Sequence, residues 1–236
     1  MRTSLIIPCF NESKSIPALL DCCQEFIGDR DIEIVIVDNG SNDNTQEVLE
    51  PLLLKYTFVT LINVNINKGY GHGILEGLRG ASGVILGWTH ADLQTDPADA
   101  IKALEFFERV NNPQQLFVKG RRYGRPIIDV IFTIGMSIFE TLLMRTKMWD
   151  INAQPTLFHR SFYESWEDPP KDFSLDLFAY FMAKKNNLFI ERFSVLFGER
   201  VHGMSHWNVS ISSKFRFIKR TLHYSFLLNK KVKDNA

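Results

Sequence analysis

The segment Glu33-Ile34-Val35-Ile36-Val37-Asp38-Asn39-Gly40-Ser41-Asn42-Asp43-Asn44-Thr45 joins three kinds of local signal. A run of β-branched residues is followed by a cluster of turn residues, and a helical pattern begins at Asn44. A short apolar run bounded by Asp, Asn and Gly reads as a buried strand. Glu33–Val37 is therefore predicted as a strand and Asn44–Tyr56 as a helix. The same unit repeats outward in both directions. Ser4–Pro8 is a strand and Ser13–Ile27 a helix before it. After it come strands at Val59–Val64, Val84–Trp88 and Leu116–Lys119, with helices at Gly71–Ala81 and Pro97–Val110. Asp96 fits the N-cap of the last helix, with Pro97 at its first position. Strands alternating with helices predict an α/β fold: a mostly parallel sheet with helices on both faces.

Beyond Gly120 the rhythm changes. A long apolar helix is predicted over Ile127–Arg145, then a strand at Gln154–His159 and a proline-containing loop at Asp168–Lys171. A helix at Phe173–Lys185 and a strand at Leu188–Phe197 follow. The reading is one domain over 1–207, with 1–120 binding a donor and 121–207 shaping an acceptor site. A basic amphipathic tail occupies 208–236.

Ligands of open α/β sheets sit beyond the carboxyl ends of the strands. At those ends stand Pro8-Cys9-Phe10-Asn11-Glu12, Asp38-Asn39-Gly40, Asn67-Lys68-Gly69-Tyr70-Gly71, His90-Ala91-Asp92-Leu93-Gln94 and Gly120-Arg121-Arg122. Turn chemistry explains the Gly, Asn and Asp of any one loop, but no turn needs Glu12 or Gln94. Asp38 suits hydrogen bonds from a base or ribose. Lys68 and the amides near Gly69 and Gly71 suit phosphate, as loops opening a helix do. Asp92 and Gln94, two apart, share one side of an extended segment, and their oxygens suit Mg²⁺ or Mn²⁺.

These motifs, in this order, resemble family 2 glycosyltransferases, and within them the dolichol-phosphate mannose synthase-like and bacterial polyprenyl-phosphate sugar transferase branch. Gly120-Arg121, Asp150-Ile151-Asn152-Ala153-Gln154-Pro155 and Arg200-Val201-His202-Gly203-Met204-Ser205 extend the likeness from about Ser4 to Trp207. The resemblance implies a GT-A fold, a nucleotide-diphosphate sugar donor, a divalent cation and inversion at the anomeric carbon. It implies nucleoside contacts from Pro8, Phe10, Asn11, Glu12 and Asp38, and metal ligation by Asp92 and Gln94. It also implies phosphate contacts from Arg121 and Arg200, with Ser205 beside the acceptor. Two departures stand out. His90 replaces the first acidic residue of the usual Asp-Ala-Asp segment, and Asn39 replaces the second of an acidic pair. His90 is open to three readings: ligand to a softer metal such as Mn²⁺, hydrogen-bond partner of the donor, or mark of a weakened enzyme. The last supports the alternative function, a non-catalytic module that binds a nucleotide sugar or a partner enzyme.

The acceptor reading is a polyprenyl phosphate or a saccharide hydroxyl in cell-surface glycan synthesis. An ionised phosphate needs no general base, whereas a hydroxyl does. The resemblance makes Asp172 and Asp176 candidates for that base, since many relatives that glycosylate hydroxyls carry an acidic pair there. The plainer reading puts both on the solvated first turn of a helix, where carboxylates favour the dipole.

Composition limits the other classes. The chain has 236 residues, 45% hydrophobic and 23% charged, within globular usage. Its 27 basic and 27 acidic residues cancel, which argues against a nucleic-acid coat protein. Eight of the basic residues lie between Arg200 and Lys233, a stretch with no Asp or Glu. Ile211, Phe215, Ile218, Leu222 and Phe226 form a stripe at helical spacing there. Such a helix suits the surface of an anionic membrane, or else packs on the core. Asp129 and Glu140 interrupt the apolar run Ile127–Met144 as marks of a wet face. Its uncharged part, Val130–Phe139, is shorter than the ~20 residues of a span. Cys9, Cys22 and Cys23 read as free thiols. The expected location is cytoplasmic, with peripheral membrane contact. Gly69-Tyr70-Gly71-His72-Gly73 lacks the glycine spacing and the first-strand position of a dinucleotide fingerprint. No HExxH spacing points to zinc.

Overall fold

A computed structural model describes residues 1–198 and 211–234, with the side chains of the last helix described from 218 to 231. Strands β1 (Thr3–Cys9), β2 (Ile32–Asp38), β3 (Val59–Asn63) and β4 (Ile85–Trp88) run parallel. The second half adds β5 (Leu116–Tyr123), β6 (Thr156–His159) and β7 (Phe189–Leu196). The seven-stranded sheet has the order β3-β2-β1-β4-β6-β5-β7. β6 is antiparallel to both β4 and β5, and β5 is parallel to β7. All strands except β6 therefore end at one edge, and β6 starts there.

Strands β1 and β2 are buried almost throughout, as parallel strands covered on both faces must be. Helices α1 (Ile16–Ile27), α2 (Thr45–Lys55) and α4 (Ala98–Glu108) supply the core of one face. α3 (Tyr70–Gly80), α6 (Arg160–Glu164) and α7 (Leu175–Lys185) supply the other. Successive connections diverge from β1 to β2 on one side and β4 on the other, the switch point at which such sheets open a crevice. The α/β fold and its mostly parallel sheet are as expected. The direction of β6 and the short α6 are additions. Asp96 accepts from the Ala98 amide at 2.8 Å, ahead of α4.

α5 (Ile127–Met144) and α8 (Ile211–Asp234) pack against each other beside the crevice. Asp129 and Glu140 do not mark a wet face. Glu140 is fully buried and Asp129 is half-buried. The exposed side of α5 is the apolar one, with Ile127 and Ile128 about three-quarters accessible and Leu142 likewise. By length and composition α5, with a mean hydropathy of 1.9, is long and apolar enough to cross a membrane. The expectation of too short a run counted two charges that the fold turns inward. On α8 the buried side holds Ser225 and Leu228, while Phe226 is exposed. The packed side is thus rotated from the stripe in the sequence.

Candidate active site

A cavity of about 510 Å³ opens at the carboxyl edge between β1, β4 and β5 and continues to α5, α7 and α8. Its β1 and β4 side is lined by Pro8, Phe10, Glu12, His90, Asp92 and Gln94. Gly69 and Asp176 also line it. Eight residues expected at the site thus share one cavity. Glu12 accepts from the Ser15 hydroxyl at 3.0 Å, so it is held at the opening of α1. The His90 ring stacks on Tyr70 at 5.4 Å, and Tyr70 stacks on Phe173 at 4.7 Å. Burial, with Asp176 and Asp92 nearby, pushes the Tyr70 phenol well above its usual range.

The segment after β4 is not extended. Leu93 has φ 56°, and the Gln94 amide turns back to donate to Asp92 Oδ1 at 3.2 Å. The Gln94 side chain donates to the Gly198 carbonyl at 3.3 Å. The expectation that period-two geometry aligns Asp92 and Gln94 is therefore corrected: a turn brings them to one wall. Among the described residues no three His, Cys, Asp or Glu side chains assemble as a metal cage.

Four expected residues lie off the cavity wall. Asp38 ends β2 and accepts from the Ser41 amide at 3.0 Å, and its neighbour Asn39 lines the cavity instead. Asn11 has φ 59° and bonds to Asn42 at 2.8 Å, tying the β1 and β2 loops together. Lys68 is exposed. Two amides of the phosphate cradle expected beside it are already engaged, that of Gly69 with Asn67 Oδ1 and that of His72 with the Lys171 carbonyl. At Gly71 a Cβ would lie 2.5 Å from the Asp172 carbonyl oxygen. Only glycine lets the 170–172 loop approach so closely, and Gly69 adds a φ of 118°. Arg121 is exposed and bonds to Ser194 at 3.0 Å. Strand alternation places Arg122 on the opposite face, and Arg122 lines the cavity. Arg200 and Ser205 lie outside the described residues.

The far wall carries residues to which the sequence assigned no site role. Arg122 grips Asp150 through Nε at 2.9 Å and Nη2 at 2.5 Å, and its amide donates to the same carboxylate at 2.8 Å. Arg125, also in the wall, lies 3.8 Å from Asp150 and donates to Thr133 at 2.8 Å. Its buried Nε has no protein partner. Burial acts to raise the Asp150 pKa, but the Arg122 charge and hydrogen bonds outweigh it and hold the group below 3.8. Glu140 accepts from Ser225 at 2.6 Å, and burial pushes its carboxyl up to about 7. Phe132, Met136 and Leu177 make this end apolar.

Asp176 does not sit on a solvated helix start. It is 2% exposed, and its Oδ1 accepts from Gln154 at 2.7 Å and from Trp88 at 3.2 Å. Lys119 Nζ stands 3.6 Å from the same oxygen. Asp172 is more open and pairs with Arg220 of α8 at 3.2 Å.

Residues 4–166 match the sequence model of glycosyl transferase family 2. Among curated proteins, an undecaprenyl-phosphate 4-deoxy-4-formamido-L-arabinose transferase of Yersinia pestis is 30% identical over 132 residues, covering 50% of this chain and 40% of that one. A bactoprenol glucosyl transferase of Shigella phage SfV is 32% identical over 106 residues, covering 44% and 34%. The matched stretches thus span two fifths or less of those relatives' length. Among solved structures, glucosyl-3-phosphoglycerate synthase of Mycobacterium tuberculosis, in complex with Mn²⁺, UDP-glucose and phosphoglyceric acid, aligns with a TM-score of 0.73 at 14% identity. That alignment covers 97% of this chain and 79% of that one. Mannosyltransferase PcManGT of Pyrobaculum calidifontis, with GDP-mannose and Mn²⁺, aligns at 0.64 with 20% identity, covering 87% and 58%. The fold is GT-A.

Proposed function

The chain belongs to glycosyl transferase family 2, and from that membership we propose that it moves a sugar, with inversion, from a nucleotide-diphosphate donor to a polyprenyl phosphate. One observation carries this reading: a single cavity joins a wall bearing Glu12 and Asp92 to a wall bearing Arg122, Arg125 and apolar side chains. The first wall suits a donor and its cation, the second an anionic headgroup with a hydrocarbon tail. The named relatives, which act on undecaprenyl phosphate and bactoprenol, favour the same acceptor class.

The donor chemistry fits a divalent cation that arrives with the diphosphate. Mg²⁺ and Mn²⁺ need only one or two carboxylates when substrate phosphates and water complete the shell. Asp92 supplies one carboxylate in the cavity, with His90 and Gln94 beside it. With Glu140 set aside because burial raises its carboxyl to about 7, the cavity wall still carries Glu12, Asp129 and Asp176 besides Asp92, more acids than the two arginines balance. A bare diphosphate would meet that charge unfavourably. A bound cation would offset it and stabilise the charge on the leaving group.

The chain's residues then have distinct tasks. Phe10 and Pro8 offer apolar surface beside the donor, and Glu12 a hydrogen-bond acceptor. The ionised acceptor oxygen attacks the anomeric carbon from the side opposite the diphosphate. The new C–O bond forms as the old one breaks, and its electron pair leaves with the diphosphate oxygen. Arg122 and Arg125 hold the acceptor phosphate, with the unpartnered Nε of Arg125 as a ready donor. No proton need be removed from an ionised phosphate. The apolar outer side of α5 and the lysines of α8 lie along an anionic membrane surface, where the acceptor resides.

The test is transfer from a panel of nucleotide sugars to undecaprenyl phosphate with Mn²⁺. Asp92→Ala should lower the rate by about 100-fold or more. Equal, background turnover by wild type and variant would leave the non-catalytic module as the function. Transfer to a saccharide hydroxyl but not to the lipid would move Asp176 into the role of base.

A further inference from the structure

Lys119 is the only lysine buried to 0% accessibility among the described residues. It stands on β5 in register with Thr156 of β6, which is in register with Trp88 of β4. Three neighbouring strands thus place these side chains side by side beneath α7. Lys119 Nζ donates to Thr156 Oγ1 at 2.8 Å and lies 3.6 Å from Asp176 Oδ1. The Trp88 indole and the Gln154 amide donate to that same oxygen. Gln154 also donates to the Tyr70 hydroxyl at 3.2 Å. All these donors converge on Oδ1, while Asp176 itself lines the cavity and Lys119 does not.

Burying an ammonium and a carboxylate costs several kcal/mol per ion unless geometry and extra hydrogen bonds compensate. An apolar side chain on β5 would avoid that cost, so the cluster calls for a role besides stability. We infer that Lys119 is a positioning residue: from behind the cavity wall it fixes Asp176 Oδ1, together with Trp88 and Gln154, so that the carboxylate accepts a hydrogen bond from a sugar hydroxyl. The role in transfer rests on the glycosyl-transfer reading; the cluster itself does not. Burial lowers the Lys119 pKa to about 8, with Asp176 and Asp150 opposing and Arg192 and Arg122 reinforcing the shift. The charged groups facing Lys119 are Asp176, Asp150, Arg192 and Arg122, and Tyr70, reached through Gln154, is pushed well above 10. A step near pH 8 that disappears with the lysine therefore reports Lys119.

The experiment follows the indole N–H of Trp88 by NMR in the full chain from pH 6 to 10, assigned with Trp88→Phe. The Trp88 signal should move in one step near pH 8 in the wild type and show no step in Lys119→Met. A step that persists in Lys119→Met, or a flat wild-type signal, overturns the proposal. If Lys119→Met does not fold, Thr156→Val replaces it. Losing the hydroxyl that accepts from the ammonium should move the step to lower pH, and an unmoved step is equally fatal. In the transfer assay Lys119→Met should lose about 10- to 100-fold in kcat, the effect of a misplaced group. KM for the nucleotide sugar should change less than about threefold, which separates a lost transition-state contact from weakened binding. A KM effect alone overturns the positioning role. The NMR arm needs no turnover. The expected step with a wild type silent toward every donor would overturn the glycosyl-transfer reading and leave the cluster standing. A missing step in an active enzyme would overturn the role of Lys119 alone.

Discussion

On the β1–β2–β4 side of the cavity, several polar groups are held by residues of their own turn, Asp38 by Ser41, Gly69 by Asn67 and Asp92 by Gln94, and the Asn11–Asn42 bond joins one turn to the next. On the β5–β6–β7 side they are held from far along the chain: Lys119 by Asp176 and Thr156, Arg122 by Asp150, Glu140 by Ser225. The first wall is assembled from backbone turns and from close loop-to-loop approaches, such as that of Gly71 to Asp172, and the second from buried charges that meet only after folding. The two walls should therefore fail differently. The turn-built wall should be sensitive to backbone fit, and the charge-built wall to single side-chain deletions and to pH.

The largest expected effect is on Asp150. Asp150→Ala would strand Arg122 and Arg125, whose side chains are 13% and 7% exposed. Breaking a buried pair in this way costs about 3–5 kcal/mol, readable by urea unfolding at neutral pH. The wild-type carboxyl titrates below 3.8 in the folded chain. Its contribution is therefore complete above the ordinary carboxylate range and is lost as pH falls through the depressed value. A loss under about 1 kcal/mol, as for an exposed pair, would erase the difference between the walls.

Glu140 has the opposite sign. Its carboxyl is raised from 4.5 to about 7 in the folded state. The native chain binds that proton more tightly than the unfolded one, so stability declines as pH rises from about 4.5 to 7. Glu140→Gln should flatten that slope and be more stable than wild type at pH 8 by on the order of 3 kcal/mol. Parallel melting-temperature profiles for the two proteins would refute it.

Gly71→Ala probes the turn-built wall. The added carbon would meet backbone at 2.5 Å, and overpacking of this kind costs about 1–3 kcal/mol. Loss of nucleotide-sugar affinity should accompany it as Gly69 and Tyr70 shift. An unchanged melting temperature and affinity would show that the 170–172 loop yields freely. The smallest effect belongs to Lys231→Ala. Its pair with Asp168 is 61% and 84% exposed, so the change should stay within about 1 kcal/mol. A larger loss would mean that α8 depends on this contact more than on Ser225 and Leu228.

The same contrast explains what could be read before folding. Parallel strands buried on both faces are apolar runs between turn residues, so β1 to β5 stood out. Glu12, Asp92 and Gly69 come within a few residues of a strand end, where topology sends them to one edge. Arg121 was singled out over Arg122 because a motif does not say which face of a strand meets a ligand. Asp129 and Glu140 looked like surface marks because helical spacing does not say which side of α5 is covered.

By itself the sequence determined the α/β layering, the succession of β1 to β4 along the chain and the chemistry of the loops at their ends. These follow from interactions a few residues long, in which periodicity and turn chemistry are written directly. Only the tertiary structure decided the direction of β6, the inward turn of Glu140 and the meeting of Lys119 with Asp176. Those depend on which distant segments come into contact, and a buried charge is tolerable only where such a contact supplies its partner.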